Sequence, residues 1–106
     1  MPTSIKASDV TTIIFACEAG IGSSLMSVNS LKKKMKAANI SNVNVVHKAV
    51  NVVPHDAKLI ICHNGIKKSV KAKAPDAVVV GFNFFFNDPV FDKIITAFKE
   101  GTEISE

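Results

Sequence analysis

Thr12-Ile13-Ile14-Phe15-Ala16-Cys17-Glu18-Ala19-Gly20-Ile21-Gly22-Ser23-Ser24 is the stretch on which the fold turns. Its first half is apolar, continuous and β-branched, the pattern of a strand covered on both faces in a parallel sheet. Its second half is small and glycine-rich. Beyond it Leu25, Val28, Leu31, Met35 and Ala38 recur at helical spacing, with Lys32, Lys33, Lys34 and Lys36 largely off that stripe. The stretch is therefore a first strand, a tight loop and the start of a first helix.

Working outward, residues 42–47, 58–62 and 76–82 are rich in Val or Ile and give a second, third and fourth strand. Between the last two, Ile66, Val70 and Ala74 lie four apart on a short lysine-rich helix that stops near Pro75. A last helix follows Asn87-Asp88-Pro89, with Asp88 placed to cap it, Pro89 at its first position and Phe91, Ile94, Ile95 and Phe98 as its apolar stripe. Residues 1–10 read as a ragged lead-in and the tail from Gly101 as frayed. Strands alternating with helices need crossovers and parallel pairing. The expected fold is a single α/β domain over residues 1–106, ordered over about 11–100: a three-layer sandwich whose four-stranded parallel sheet has the order 2-1-3-4, helices on both faces. That order puts a topological switch at the carboxyl ends of the first and third strands, where Cys17 falls.

The 106 residues suffice for one hydrophobic core, and 47% hydrophobic against 21% charged residues excludes a disordered chain. The apolar runs are too short or too interrupted to cross a bilayer, and residues 1–10 lack the order of a secretory signal, so a cytoplasmic location is expected. The two cysteines, Cys17 and Cys62, are not spaced as a zinc or dithiol motif. A net charge of +4 suits acidic or phosphorylated partners or nucleic acid; the absence of Tyr and Trp argues against a nucleic-acid binder.

Chemistry concentrates at Cys17. The N–H groups of Glu18, Ala19, Gly20, Ile21, Gly22, Ser23 and Ser24 can curl around an anion, helped by glycines at 20 and 22 and by the positive end of the helix that follows. A thiol there is expected to ionise below the free-cysteine pKa of about 8.5, and the same donors, with the Ser23 and Ser24 hydroxyls, would hold a phosphoryl group attached to sulfur. Gly-x-Gly-x-x-Gly and Gly-Lys-Ser/Thr patterns are absent, which sets aside dinucleotide and nucleoside-triphosphate loops. A cysteine phosphatase would carry arginine where Ser23 stands, and the chain contains no arginine.

The segment 13–24 resembles the signature of the IIB component of sugar phosphotransferase systems, mannitol-type branch, with Glu18 where Asp is usual. The likeness continues through residues 49–54, 59–63 and Asn83-Phe84, covering nearly all of 12–98. It implies that Cys17 takes a phosphoryl group from a phosphohistidine of a IIA partner and passes it to a sugar, mannitol in the branch resembled, held by a membrane-embedded IIC permease. It also implies association with the inner face of the membrane through IIC. An ascorbate-type IIB and a IIB-like regulatory module are the alternatives. No cofactor, metal or nucleic acid is expected.

The remaining residues carry less. His63, at the active edge, can donate to phosphate or simply turn the chain toward Asn64-Gly65. His47 and His55 fall in uninformative places. Glu18 is expected to point outward from the thiolate or to help tune release of the phosphoryl group. Phe82, Phe84, Phe85 and Phe86 cannot all face the core by alternation, so some are expected either to form a docking patch or to fold onto the last helix. Cys62, inside the third strand, reads as a packed core residue.

Overall fold

A computed structural model describes residues 4–17, 23–41, 43–84 and 89–105. In chain order the elements are β1 (Ser4–Lys6), β2 (Thr12–Cys17), α1 (Ser23–Ala37), β3 (Asn44–Ala49), β4 (Leu59–His63), α2 (Lys67–Lys73), β5 (Val78–Phe82), α3 (Pro89–Glu100) and β6 (Glu103–Ser105). The main sheet runs β3-β2-β4-β5 with every neighbour parallel, which is the order expected from the sequence.

Alternation along β2 divides the core into two layers. Ile13 and Phe15 pack with Val28, Leu31 and Met35 of α1 and with Phe91 and Ile94 of α3. Ile14 and Ala16 point the other way, into a layer completed by Ile60, Cys62 and Val79 of the sheet and by Val70 and Ala74 at α2. This two-sided burial is why the strands read as continuous apolar runs. Phe15, Phe82 and Phe91 form an aromatic cluster with ring centroids 5.4–6.2 Å apart, so Phe82 belongs to the core.

Helix ends follow local chemistry. At the end of α1, Asn39 adopts φ 59°. The Ile40 N–H bonds to the Met35 carbonyl and the Asn39 N–H to that of Lys36, a Schellman closure with Asn in the place glycine usually takes. Gly101, at φ 69°, closes α3 in the same way, with the Thr102 N–H on the Ala97 carbonyl.

That second turn corrects the reading of the termini. The tail from Gly101 is not frayed and the lead-in is not ragged: β6 pairs antiparallel with β1 in the register Ser4↔Ser105, Ile5↔Ile104, Lys6↔Glu103. Ile104 and Ala7 are buried and join the α1/α3 layer. Strand bounds also shift. The third strand runs Leu59–His63, one residue later than expected, and the fourth starts at Val78 because the Ala77 N–H closes a turn onto Ala74. The second runs Asn44–Ala49 rather than 42–47, since pairing with β2 carries it on to Cys17↔Ala49.

Candidate functional site

β2 delivers Cys17 as its last residue, at the carboxyl edge of the sheet between β3 and β4. By parity Cys17 shares the face of Ile13 and Phe15, and Val45 and His47 of β3 lie on that face too, because Ile13↔Val45 and Phe15↔His47 are in register. His47 is thus the diagonal neighbour of Cys17 across a parallel pair. Its Nε2 lies 2.9 Å from the Cys17 Sγ. The Sγ also lies 3.8 Å from the Lys48 carbonyl oxygen, to which a thiol can donate weakly. Cys17 is 5% exposed and His47 is half-buried.

His47 was missed by sequence reasoning. Ending the second strand at His47 hid its parity, and only the register with β2 reveals that it faces the cysteine. The available signal was weak, because Lys48 and Ala49, which carry the strand past the histidine, are poorer strand formers than Val45 and Val46.

On the other flank, two residues beyond the Phe15↔Ile61 pair on each strand, His63 ends β4 level with Cys17. Its Nδ1 accepts a 2.9 Å hydrogen bond from the Gly65 N–H, which starts a 3₁₀ turn over Asn64–Ile66. In the neutral ring that bond leaves Nε2 carrying the proton. The ring meets Phe82 edge-on at 5.7 Å. His63 therefore takes the turn role, capping the turn that follows β4. The two cysteines differ: Cys62 is fully buried in the α2 layer, and burial pushes its thiol up to about 12, against a smaller pull from Lys67.

Glu18, Ala19, Gly20, Ile21 and Gly22 lie outside the described residues, as do Phe85, Phe86 and Asp88. Ser23 and Ser24 open α1, so the backbone of the last two residues of the expected anion loop is helical. Phe84 is 65% exposed and Val52 58% exposed, both past the carboxyl ends of their strands. Among the described residues, no cluster of three or more His, Cys, Asp or Glu side chains is arranged to hold a metal, and no helix is long and apolar enough to cross a membrane.

Comparison with known proteins bears on this geometry. Residues 12–96 match the family described as the PTS system, lactose/cellobiose-specific IIB subunit. The chain is 39% identical over 88 residues to the PTS system mannitol-specific EIICBA component of Buchnera aphidicola, covering 83% of the chain and 14% of that protein. It is 36% identical over 96 residues to the mannitol-specific EIICB component of Bacillus subtilis, covering 91% of the chain and 20% of the relative. The corresponding protein of Staphylococcus saprophyticus is 37% identical over 92 residues, 87% of the chain and 18% of the relative. The chain spans about a fifth or less of the length of these relatives. A match over most of its length, on the strand–cysteine–helix unit described above, means that this chain belongs to the IIB family of the sugar phosphotransferase system.

Proposed function

We propose that the chain is a phosphoryl relay: the Sγ of Cys17 accepts a phosphoryl group from a phosphohistidine of a IIA protein and delivers it to mannitol held by a membrane IIC permease. The observation that carries this reading is the position of Cys17. It ends a central parallel strand at the switch between β3 and β4, just ahead of a helix whose first residues are Ser23 and Ser24. Ligands of open parallel sheets bind at such a switch, and anions bind at such a helix start.

In loading, the thiolate attacks phosphorus, the S–P bond forms and the donor imidazole leaves with the N–P electron pair. In unloading, a sugar hydroxyl oxygen forms the new O–P bond, the S–P pair returns to sulfur, and the hydroxyl proton passes to a base outside this chain. The N–H groups of residues 18–24 hold the phosphoryl oxygens, and His63 Nε2–H donates to the same group from the β4 side. Phe84 and Val52 rim the edge where the partners dock, and the chain works at the inner face of the membrane through IIC. Mannitol is favoured by the names of the relatives, which carry IIB and IIC in one protein.

The test is intact-protein mass after incubation with phosphoenolpyruvate, the general phosphotransferase proteins and a mannitol-type IIA. Wild type and Cys62→Ser are expected to gain one phosphoryl group and Cys17→Ser none. Addition of IIC membranes with mannitol is expected to discharge the adduct, and discharge by another sugar alone would reassign the substrate. An adduct that survives loss of Cys17, or none with several IIA donors, overturns the relay.

A further inference from the structure

Resting on the relay reading, we propose that His47 is the proton partner of Cys17: its Nε2 takes the thiol proton and the resulting imidazolium holds the thiolate in place for attack. The pairing starts from backbone geometry. Both residues sit inside registered parallel strands, and Phe15↔His47 and Cys17↔Ala49 fix which face each presents. A contact between two sheet residues is held more rigidly than one made from a loop. The 2.9 Å separation of Nε2 and Sγ is within hydrogen-bond reach in either direction.

A proton acceptor beside the sulfur serves this chemistry directly. A thiol attacks poorly and a thiolate well, so its proton must go somewhere before sulfur can meet phosphorus. The chain offers no arginine to stabilise the anion. The elements packed closely against β3 are β2 and α1. On β2 the titratable group is Cys17 itself; on α1 they are Lys32, Lys33, Lys34 and Lys36, of which Lys32 and Lys36 border a surface with Asn44 and Val45, at the amino end of β3. Lys48, next along β3, has the opposite parity to His47. His47 is therefore the titratable side chain brought to the sulfur from β3, at the edge of the sheet and half-buried, open enough to exchange protons with water.

The loading step then balances. The proton leaves Sγ for Nε2 of His47, sulfur keeps the pair and forms the S–P bond, and the N–P bond breaks. The donor's imidazole, protonated at its other nitrogen, departs neutral. The His47 imidazolium is left facing the new phosphocysteine, where its N–H can donate to a phosphoryl oxygen.

Alkylation of Cys17 by iodoacetamide, followed by mass across about pH 5 to 10, tests the pair without any phosphoryl donor. A Cys62→Ser background leaves one thiol. The alkylation curve of the otherwise native chain is expected to begin at least one pH unit below that of His47→Ala or His47→Gln, about tenfold faster alkylation on the rising limb. Glutamine keeps an N–H but takes up no proton, so it should follow alanine. Phosphoryl uptake from phospho-IIA is expected to fall about 10²-fold in both variants, and added imidazole should restore part of the rate in His47→Ala. If His47→Ala fails to fold, as judged by circular dichroism, His47→Gln alone decides. Coincident alkylation curves overturn the proposal, and so does a slower uptake with an unmoved curve and no rescue, which would make His47 a packing residue only. If the curves separate but wild type never takes up phosphoryl, the pair stands and the relay reading fails.

Discussion

Cys17 and Cys62 sit on neighbouring strands of one sheet and face opposite sides of it. Cys17 has the parity of Phe15 and the company of His47, whereas Cys62 packs with Ala16, Val70 and Val79. One fold thus presents the same side chain twice, once at the carboxyl edge of the sheet beside a histidine and once as a small apolar filler.

The buried thiol makes stability fall in alkali. Burial raises the folded pKa of Cys62 from 9.0 to about 12, so the folded state keeps a proton that the unfolded chain releases. Its contribution is fully present below pH 9.0 and is lost as pH climbs toward about 12. Wild type should therefore lose more stability than Cys62→Ala between about pH 8 and pH 10.5. Urea midpoints at the two pH values measure the difference. At the lower pH the variant should start about 1 kcal/mol less stable, from the space left in the core. Equal alkaline losses would mean that Cys62 is wetter than its packing indicates.

Gly81 is required by a neighbour rather than by its own backbone. A Cβ there would stand 1.7 Å from the Asn64 Oδ1, and the Asn64 amide donates at 2.8 Å to the Asn83 Oδ1. Gly81→Ala should push the exposed Asn64 side chain aside and break that bond, costing about 1 kcal/mol. Adding Asn64→Ala should make the glycine substitution nearly neutral, which a double-mutant cycle of urea midpoints checks. A full cost retained in the Asn64→Ala background would place the clash in the backbone of the turn after β4.

The Asn39 turn gives the opposite kind of test, because here the backbone is what matters. At φ 59° a β-branched side chain is strained, so Asn39→Val should cost about 1–2 kcal/mol. Asn39→Gly should be neutral or stabilising by a few tenths of a kcal/mol, since glycine reaches this conformation without strain. Both variants should keep the packing of Met35 and Ile40 on either side of the turn, so the thermal midpoint should move without loss of phosphoryl uptake.

The sequence made the main sheet legible because its strands are buried on both faces and its helices carry clear stripes; Val28, Leu31 and Met35 all reach the core. Cys17 stood out as the candidate because a cysteine, two glycines and two serines stand together at the end of a strand. His47 was not, because its place beside sulfur depends on strand register, which is settled by pairing between residues some thirty positions apart. The β1–β6 ribbon escaped for a related reason. Three-residue strands carry too little period to be seen, and Ile5 and Ile104 acquire meaning only when the ends of the chain meet.

That ribbon yields the last prediction. Ile104 is 4% exposed and packs into the same layer as Phe91 and Ile94, although it lies in a stretch that reads as a tail. Ile104→Ala should cost about 2–4 kcal/mol, the range for emptying a buried aliphatic site, tempered at a sheet end that can collapse. Lys6→Ala, on the same ribbon but solvent-facing, should change stability by less than about 0.5 kcal/mol. Because β1 and β6 belong to a sheet separate from the one that carries Cys17, Ile104→Ala should take up phosphoryl at the wild-type rate below its melting temperature. Urea unfolding and loading rates on the two variants measure both effects. A loss of uptake in fully folded Ile104→Ala would show that the terminal ribbon, through α3, helps set the reactive edge.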